Sequence, residues 1–216
     1  MEGERILIIG DIHGCLDMLN RLMDRIQWRP DRDRLIFVGD YVDRGTDSKG
    51  VVDYVLALRK CSSRVDCLIG NHEAMLLDYL DGKNQASFLL NGGWPTLVSY
   101  GVDKKNADPS PMIPPDHLAF YRSLKLYVEL EDFYVVHAGF RPKVPVREQN
   151  MKDMLWIRYP FIYSDYDFGK KVIFGHTVFR EPLVLENKIG LDTGAVFGNK
   201  LTCLELPGMI FHFEGP

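Results

Sequence analysis

Gly39-Asp40-Tyr41-Val42-Asp43-Arg44-Gly45 follows a short apolar run, Leu35-Ile36-Phe37-Val38, that reads as a buried strand. The seven residues set two carboxylates and a guanidinium between glycines. Charged groups at the end of a core strand need partners, because an unpaired charge is costly to bury. A divalent cation suits the carboxylates, and a phosphate or carboxylate suits the arginine. The stretch therefore points to metal and phosphate, and the missing ligands must come from elsewhere in the chain.

Working outward, two further strands end in the same manner. Arg5 to Ile9 is a continuous apolar run that stops at Gly10-Asp11-Ile12-His13-Gly14, and Val65 to Ile69 stops at Gly70-Asn71-His72-Glu73. Between them, Leu16, Leu19, Leu22, Met23 and Ile26 recur at helical spacing until Trp28-Arg29-Pro30. A second helix is predicted from about Ser48, its N-cap, with Val51, Val52, Val55, Leu56 and Leu58 on the apolar side. A third carries Met75, Leu76, Leu77 and Leu80. Three strand–helix rounds predict an α/β fold with a largely parallel sheet, whose ligands bind beyond the carboxyl ends of the strands. All three polar clusters fall there.

From about Asp81 to Lys125 the pattern becomes a mainly helical insertion, interrupted at Leu89 to Trp94 and by the proline-dense run Asp108 to Pro115. It is expected to form one wall of the site. The last third reads as strands. Leu126 to Leu130 and Phe133 to Val136 form a hairpin that ends at His137-Ala138-Gly139. Val172 to Phe174 ends at Gly175-His176-Thr177. Leu183 to Leu185, Ile189 to Leu191, Leu201 to Leu206 and Met209 to Phe213 complete the set, with a turn at Pro207-Gly208.

The 216 residues fit one domain, 1–216, and 46% hydrophobic with 26% charged residues is ordinary for a globular enzyme or binding protein. A net charge of −4 gives no global attraction to nucleic acid or anionic lipid, so phosphate chemistry must use local arginines or metals. The four cysteines show no CxxC spacing and read as reduced thiols. No signal peptide or membrane span is visible, and the expectation is a cytoplasmic protein, monomeric by default, that binds neither nucleic acid nor membrane.

Of six histidines, four (His13, His72, His137 and His176) lie in glycine-flanked strand ends. Mixed carboxylate, imidazole and amide ligands suit borderline-hard ions such as Mn²⁺, Fe²⁺ or Zn²⁺. Six candidates exceed the needs of one metal; two metals about 3.5–4 Å apart, sharing a carboxylate, would use them all.

Taken in order, the five motifs resemble the calcineurin-like metallophosphoesterases, and within them the PPP-type serine/threonine protein phosphatases in their short bacterial and bacteriophage form. Asn91-Gly92-Gly93-Trp94, Leu155-Trp156-Ile157-Arg158 and Asp192-Thr193-Gly194-Ala195 extend the likeness. The resemblance implies a β-sandwich of two mixed sheets flanked by helices (αββα layers). It implies two divalent metal ions, Mn²⁺ before Fe or Zn. Asp11 and His13 would bind one, Asn71, His137 and His176 the other, and Asp40 would bridge. It further implies that Arg44 and Arg158 hold phosphate and that His72, oriented by Asp43, protonates the leaving group. Metal-bound hydroxide would attack directly, with no phosphoenzyme.

The implied function is a phosphoprotein or phosphopeptide phosphatase, acting on Ser/Thr first, with Tyr as the further option. A symmetrical dinucleoside tetraphosphatase of the same superfamily is the alternative. That family typically reads Gly-Asn-His-Asp, so Glu73 favours the phosphatase. A catalytically dead scaffold is the remaining rival, and the chain keeps every ligand such scaffolds lose. Blander readings stand beside several residues. Asn91 is first a turn residue, Tyr41 and Trp156 are core aromatics before pocket walls, Arg141 and Arg180 are surface charge, and Cys15 is a buried helix-facing thiol. His117 and His212 have no assigned role.

Overall fold

The structure, a computed structural model, describes residues 4–103 and 113–216. Three rounds of strand and helix open the chain: β1 (Ile6–Ile9) leads to α1 (Leu16–Ile26), β2 (Arg34–Phe37) to α2 (Ser48–Cys61), and β3 (Val65–Cys67) to α3 (Asn71–Leu80). Then come α4 (Gln85–Phe88), a π-helical turn over Leu89–Gly93, α5 (Trp94–Ser99) and α6 (Pro115–Arg122). The final third supplies β4 (Tyr127–Glu129), β5 (Phe133–Val136), α7 (Met151–Trp156) and α8 (Tyr159–Ile162). After these follow β6 (Lys171–Phe174), β7 (Leu183–Val184), β8 (Lys188–Gly190), β9 (Leu201–Leu206) and β10 (Ile210–Glu214).

The strands form two mixed five-stranded sheets, ordered β10-β9-β1-β2-β3 and β4-β5-β6-β8-β7. β1, β2 and β3 run parallel, and so do β5, β6 and β8; the outer partners β9, β10, β4 and β7 are antiparallel to their neighbours. The period-2 alternation of a strand explains the layers. Ile8, Ile36, Val135, Ile173, Ile189 and Leu204 point between the sheets and fill the sandwich. Their neighbours Leu7, Ile9, Leu35 and Phe37 point outward under α1, α2 and α3. Val136, Val172 and Phe174 do the same under α7 and α8, against Met154 and Phe161. Continuous apolar runs were required because both faces of each sheet are covered. The result is the expected αββα sandwich.

Local boundaries differ from the sequence expectation by a residue or two at several strand ends and at one helix cap. The first strand begins at Ile6 rather than Arg5, and the third ends at Cys67 rather than Ile69, with Leu68 forming only a bridge to Lys125. Asp47, not Ser48, caps α2, its Oδ1 accepting from the Gly50 amide at 2.8 Å. Ser48 is instead buried and turned toward the Asp43 amide. Of the proline-dense run, Asp108 to Met112 lies outside the described residues. No helix among the described residues is long and apolar enough to cross a membrane. All four cysteines are free thiols.

Candidate active site

The carboxyl ends of the parallel strands in both sheets converge on one edge of the sandwich. β1 delivers Asp11 and His13, β2 delivers Asp40 to Arg44, and the first turn of α3 carries Asn71 and His72. From the second sheet, β5 delivers His137 and β6 delivers His176. The backbone here is unusual: His13, Asp40, Asp43, Arg44 and His176 all have φ between 47° and 73°. Such left-handed conformations cost of order 1–3 kcal/mol each outside glycine and persist only where their surroundings hold them.

Those surroundings are visible donor by donor. The buried Glu73 carboxylate accepts from the amides of Asp40, Tyr41 and Val42 and also of Gly70, at 2.8–3.3 Å. The Asp43 amide reaches Ser48 Oγ at 3.1 Å and Thr96 Oγ1 at 2.8 Å. The Arg44 amide donates to the Gly92 carbonyl at 2.9 Å, inside the π-helical turn. Asp40 returns its own carbonyl to the amides of Ile12 and His13. The insertion thus does wall the site, through Gly92 and Thr96. Two glycines are required by close approach: a Cβ at Gly70 would lie 2.0 Å from Asp40 Oδ1, and one at Gly175 2.0 Å from Asp11 Oδ1.

Asp40 is the hub. Its Oδ2 lies 3.4 Å from His13 Nε2 and 4.0 Å from His72 Nε2, and its Oδ1 lies 3.5 Å from His137 Nε2. Asn71 Oδ1 sits 3.0 Å from His137 Nε2 and 2.8 Å from His176 Nδ1. Donor atoms of His13, Asp40 and His72 lie within 4.8 Å of one another, and so do those of Asp40, His137 and His176. Asp40 therefore belongs to two groups. Asp11 joins neither; its Oδ2 accepts from the His176 amide at 2.9 Å.

The four histidines divide by their surroundings. Burial pushes His13 down to about 3 and His176 down to about 2, and it lowers His137 as well. These three are neutral rings with a lone pair to give. His72 goes the other way: burial works against its charge, but Asp40 and its hydrogen bond to Asp43 outweigh that and raise it. Its Nδ1 lies 2.6 Å from Asp43 Oδ2, while Thr96 Oγ1 donates to Asp43 Oδ1 at 2.7 Å. Burial raises the Asp43 carboxyl too, so the pair keeps its proton. For Asp40, burial is again opposed and outweighed, here by His137, His72, His13 and His176, and its carboxyl is held far below the usual range.

These donors fit divalent cations. Among the described residues, Asp11 Oδ1 and His176 Nε2 are buried polar atoms with no hydrogen-bond partner. Native proteins rarely leave such atoms orphaned, and an ion is one of the standard reasons. The Nδ1 atoms of His13 and His137 face the Val42 and Val38 carbonyls at 2.7 and 3.0 Å, which turns both Nε2 lone pairs inward. His137 Nε2, Asn71 Oδ1 and Asp40 Oδ1 then meet as acceptors with no proton between them. A cation resolves that repulsion, and neutral imidazole with carboxylate and amide oxygen is a donor set that binds one.

Arg44 lies between the Gly92 backbone and the Phe197 ring, and its Nη1 donates to His13 Nε2 at 2.6 Å. Arg158 donates to the His176 carbonyl at 3.1 Å. All ten predicted site residues are thus gathered on one edge. Thr96, Ser48, Glu73 and Asp192 were missed as contributors. Asp192 is buried, and burial pushes its carboxyl up to about 6. Of the blander readings, Tyr41 is core and donates to the Leu68 carbonyl at 3.1 Å. Asn91 donates to the Ser87 carbonyl within its own turn. Arg141 is tied to Asp153 at 2.6 Å. Cys15 is half-buried at the start of α1. His117 bridges Tyr100 and Asp53, and His212 pairs with Glu205. Trp156 departs from expectation: it is 41% exposed, its ring edge-on to His176 with centroids 6.0 Å apart.

The sequence matches the family model of the calcineurin-like phosphoesterases over residues 4–206. It is 30% identical over 230 residues to the asymmetrical bis(5'-nucleosyl)-tetraphosphatase PrpE of Bacillus thuringiensis (strain Al Hakam), a match spanning 94% of this chain and 90% of that protein. The PrpE of Bacillus cereus (strain AH187) matches to the same extent. Solved structures that share the fold include one provisionally described as a diadenosine tetraphosphatase, with a TM-score of 0.77 at 24% identity, covering 98% of this chain and 93% of that one. A serine/threonine phosphatase of Saccharomyces cerevisiae superposes with a TM-score of 0.71 at 15% identity, over 98% and 80% of the two chains.

Proposed function

The chain belongs to the calcineurin-like phosphoesterases, and we propose that it hydrolyses the phosphoanhydrides of dinucleoside tetraphosphates, unequally, with two divalent cations bound at the strand-end cluster. The observation that carries this reading is the likeness to asymmetrical bis(5'-nucleosyl)-tetraphosphatases along nearly the whole of both chains. The sequence expectation placed phosphoproteins first and a symmetrical tetraphosphatase second; the relatives favour the second class and the unequal cut. Glu73, which weighed for the phosphatase, is buried and spends its oxygens on four backbone amides. It reads no substrate.

In this proposal Asp11 and His13 hold one cation, Asn71, His137 and His176 hold the other, and Asp40 is shared. Bound there, the cations supply Lewis acidity, neutralising phosphoryl charge and making water more acidic. Mn²⁺ suits the mixed donors, as do iron and zinc. Arg44 and Arg158 grip the non-bridging oxygens and stabilise charge as it develops. His72 keeps a proton at Nε2 for the leaving oxygen, its ring fixed through Nδ1 by Asp43.

The same proton is the observation that favours a second reading. An alkoxide leaving a phosphomonoester requires protonation, whereas a departing phosphate needs little. The proposal is tested by kcat/KM for diadenosine tetraphosphate, a phosphoserine peptide and p-nitrophenyl phosphate. The dinucleotide is expected to be preferred by about 10²-fold or more, because a site built for its polar groups rejects analogues lacking them. AMP and ATP are the expected products. A preference for the peptide would favour the second reading, and two molecules of ADP would restore the symmetrical cut. His72→Asn is expected to lower kcat on an alkyl phosphate by about 10²-fold or more, and less on the dinucleotide, with cation content unchanged.

A further inference from the structure

Three exposed apolar side chains line one side of the site. Phe197 is 63% exposed, and its ring centroid lies 5.5 Å from the Arg44 guanidinium carbon. Trp156 stands edge-on to His176 at the other end. Between them Val178, 45% exposed, follows Thr177, whose hydroxyl lies 3.4 Å from Arg158 Nη1. Val178 and Phe197 meet across Gly194: a Cβ there would lie 3.0 Å from Val178 Cγ1 and 3.7 Å from Phe197 Cδ2. Apolar side chains are therefore spaced along the stretch from His176 to Arg44.

Phe197 is held out deliberately by its turn. Ala195–Phe197 is a single 3₁₀ turn between Gly194 and Gly198, both at positive φ. Asp192 Oδ1 accepts from the Gly194 amide at 3.0 Å, and Asn199 Nδ2 ties the turn to the Thr193 and Arg180 carbonyls at 2.7 and 3.0 Å. A rigid turn that presents a bare ring to water, over an arginine, is organised for a flat partner.

We infer that Phe197, Val178 and Trp156 form a stacking rim for a nucleobase of the substrate, an inference that rests on the dinucleotide reading above. Phosphates engage Arg44 and Arg158, and the base covers the rings beside them. Every base offers a π-face, so such a rim binds nucleosides with little preference among bases. Because Phe197 lies on Arg44 itself, a nucleoside stacked there is joined to the phosphoryl at Arg44 by its ribose alone. That register puts the α-phosphoryl at Arg44, where water adds to Pα, the Pα–O–Pβ bond breaks, and AMP and ATP leave, which is the unequal cut.

The test uses the intact chain loaded with Mn²⁺ and compares diadenosine tetraphosphate with base-free inorganic tripolyphosphate. Phe197→Leu is expected to lower kcat/KM for the dinucleotide about 5- to 100-fold, mostly through KM. The tripolyphosphate value should fall by less than about threefold, a difference too small to be a stacking loss. Phe197→Tyr keeps a ring and is expected to stay close to wild type on both. A binding measurement without cations runs beside the kinetics: AMP, but not ribose 5-phosphate, is expected to quench fluorescence that Trp156→Phe removes. Equal losses on both substrates would mean that the ring serves only to place Arg44, and a leucine as good as tyrosine would mean plain apolar cover. Either result, or quenching by ribose 5-phosphate alike, overturns the rim. Wild-type turnover of p-nitrophenyl phosphate with none of the dinucleotide would instead overturn the function on which the rim rests.

Discussion

At the edge where β1 and β2 begin, Asp33 is fully buried, yet it accepts from Arg5, from the Arg29 amide and from the Arg29 guanidinium at 2.8–3.2 Å. Nearby, Asp66 is shared between Arg34 at 2.7 Å and Lys125 at 2.6 Å. At the edge where the same strands end, Asp11 is as buried, but one of its oxygens has no partner among the described residues. Burial acts on all three carboxyls. At the first edge the cations outweigh it, and Asp33 and Asp66 sit below their ordinary range. At the second, burial wins and Asp11 is pushed well above. Removing an ion from water costs several kcal/mol, so a buried carboxylate is kept only with compensation. One edge carries its cations in the sequence; the other presents donor atoms without partners among the described residues. Asp33 and Asp66 carry their own cationic partners, whereas Asp11 is left with an oxygen that a bound cation would satisfy.

The most severe way to break this contrast is Asp40→Asn, which removes the charge shared by both groups of donors. Hydrolysis is expected to fall by about 10³-fold, with Mn²⁺ content falling too, while the circular dichroism spectrum is kept. Retained cation binding with full activity would show that the strand-end edge does not need outside charge.

Acid sharpens the contrast. In metal-free protein His13 and His176 stay neutral down to about 3 and about 2, whereas unfolded histidine titrates near 6.5. Below 6.5 the unfolded chain takes up protons that the folded chain refuses, so stability falls as pH drops, by about 1 kcal/mol per unit for each ring. Asp33 has the same sign in a lower window: its folded value is depressed, and its contribution is present above its ordinary 3.8 and is lost only below that. Burial raises Asp11, Glu73 and Asp192, whose contributions grow as pH drops, so the ring is read by difference: in urea denaturation of the metal-free protein from pH 7 to 4.5, the stability of His176→Asn should fall less steeply than that of wild type. Equal slopes for wild type and His176→Asn would mean that this ring already protonates in the fold.

The smallest expected effect is at the paired edge. Asp33→Asn is expected to cost about 1–3 kcal/mol in urea denaturation, since it weakens charge-assisted hydrogen bonds and leaves the geometry in place. It should leave kcat within about twofold, as changes away from a site's contacts do. A large kcat loss would mean that the two edges are coupled through β1 and β2.

Much of this was legible in the sequence, and the reason is local. A strand buried on both faces must be continuously apolar, so Ile6 to Ile9 and Leu35 to Phe37 declared themselves. The chain must turn sharply to bring a side chain over a sheet edge, so the ligands came packaged with glycines. Nine of the ten site residues lie within seven positions of a strand end, and Arg158, between α7 and α8, was named from the family resemblance. The helix cap was misread at Ser48, since capping by Asp47 and by Ser48 differ only in which side chain the tertiary structure diverts. Ser48 is diverted by Asp43 and Thr96.

The sequence by itself thus determined the layered α/β sandwich and the polar residues gathered at its strand ends, because periodicity and strand-end motifs are properties of neighbouring residues. Only the tertiary structure decided what those residues are to one another. It made Glu73 a strut under the loop, raised His72 where it lowered the other clustered histidines, and brought Phe197 and Trp156 from distant parts of the chain to the mouth of the site. Those outcomes depend on burial and on charges a few ångströms away, and distance in space is not written in the order of the chain.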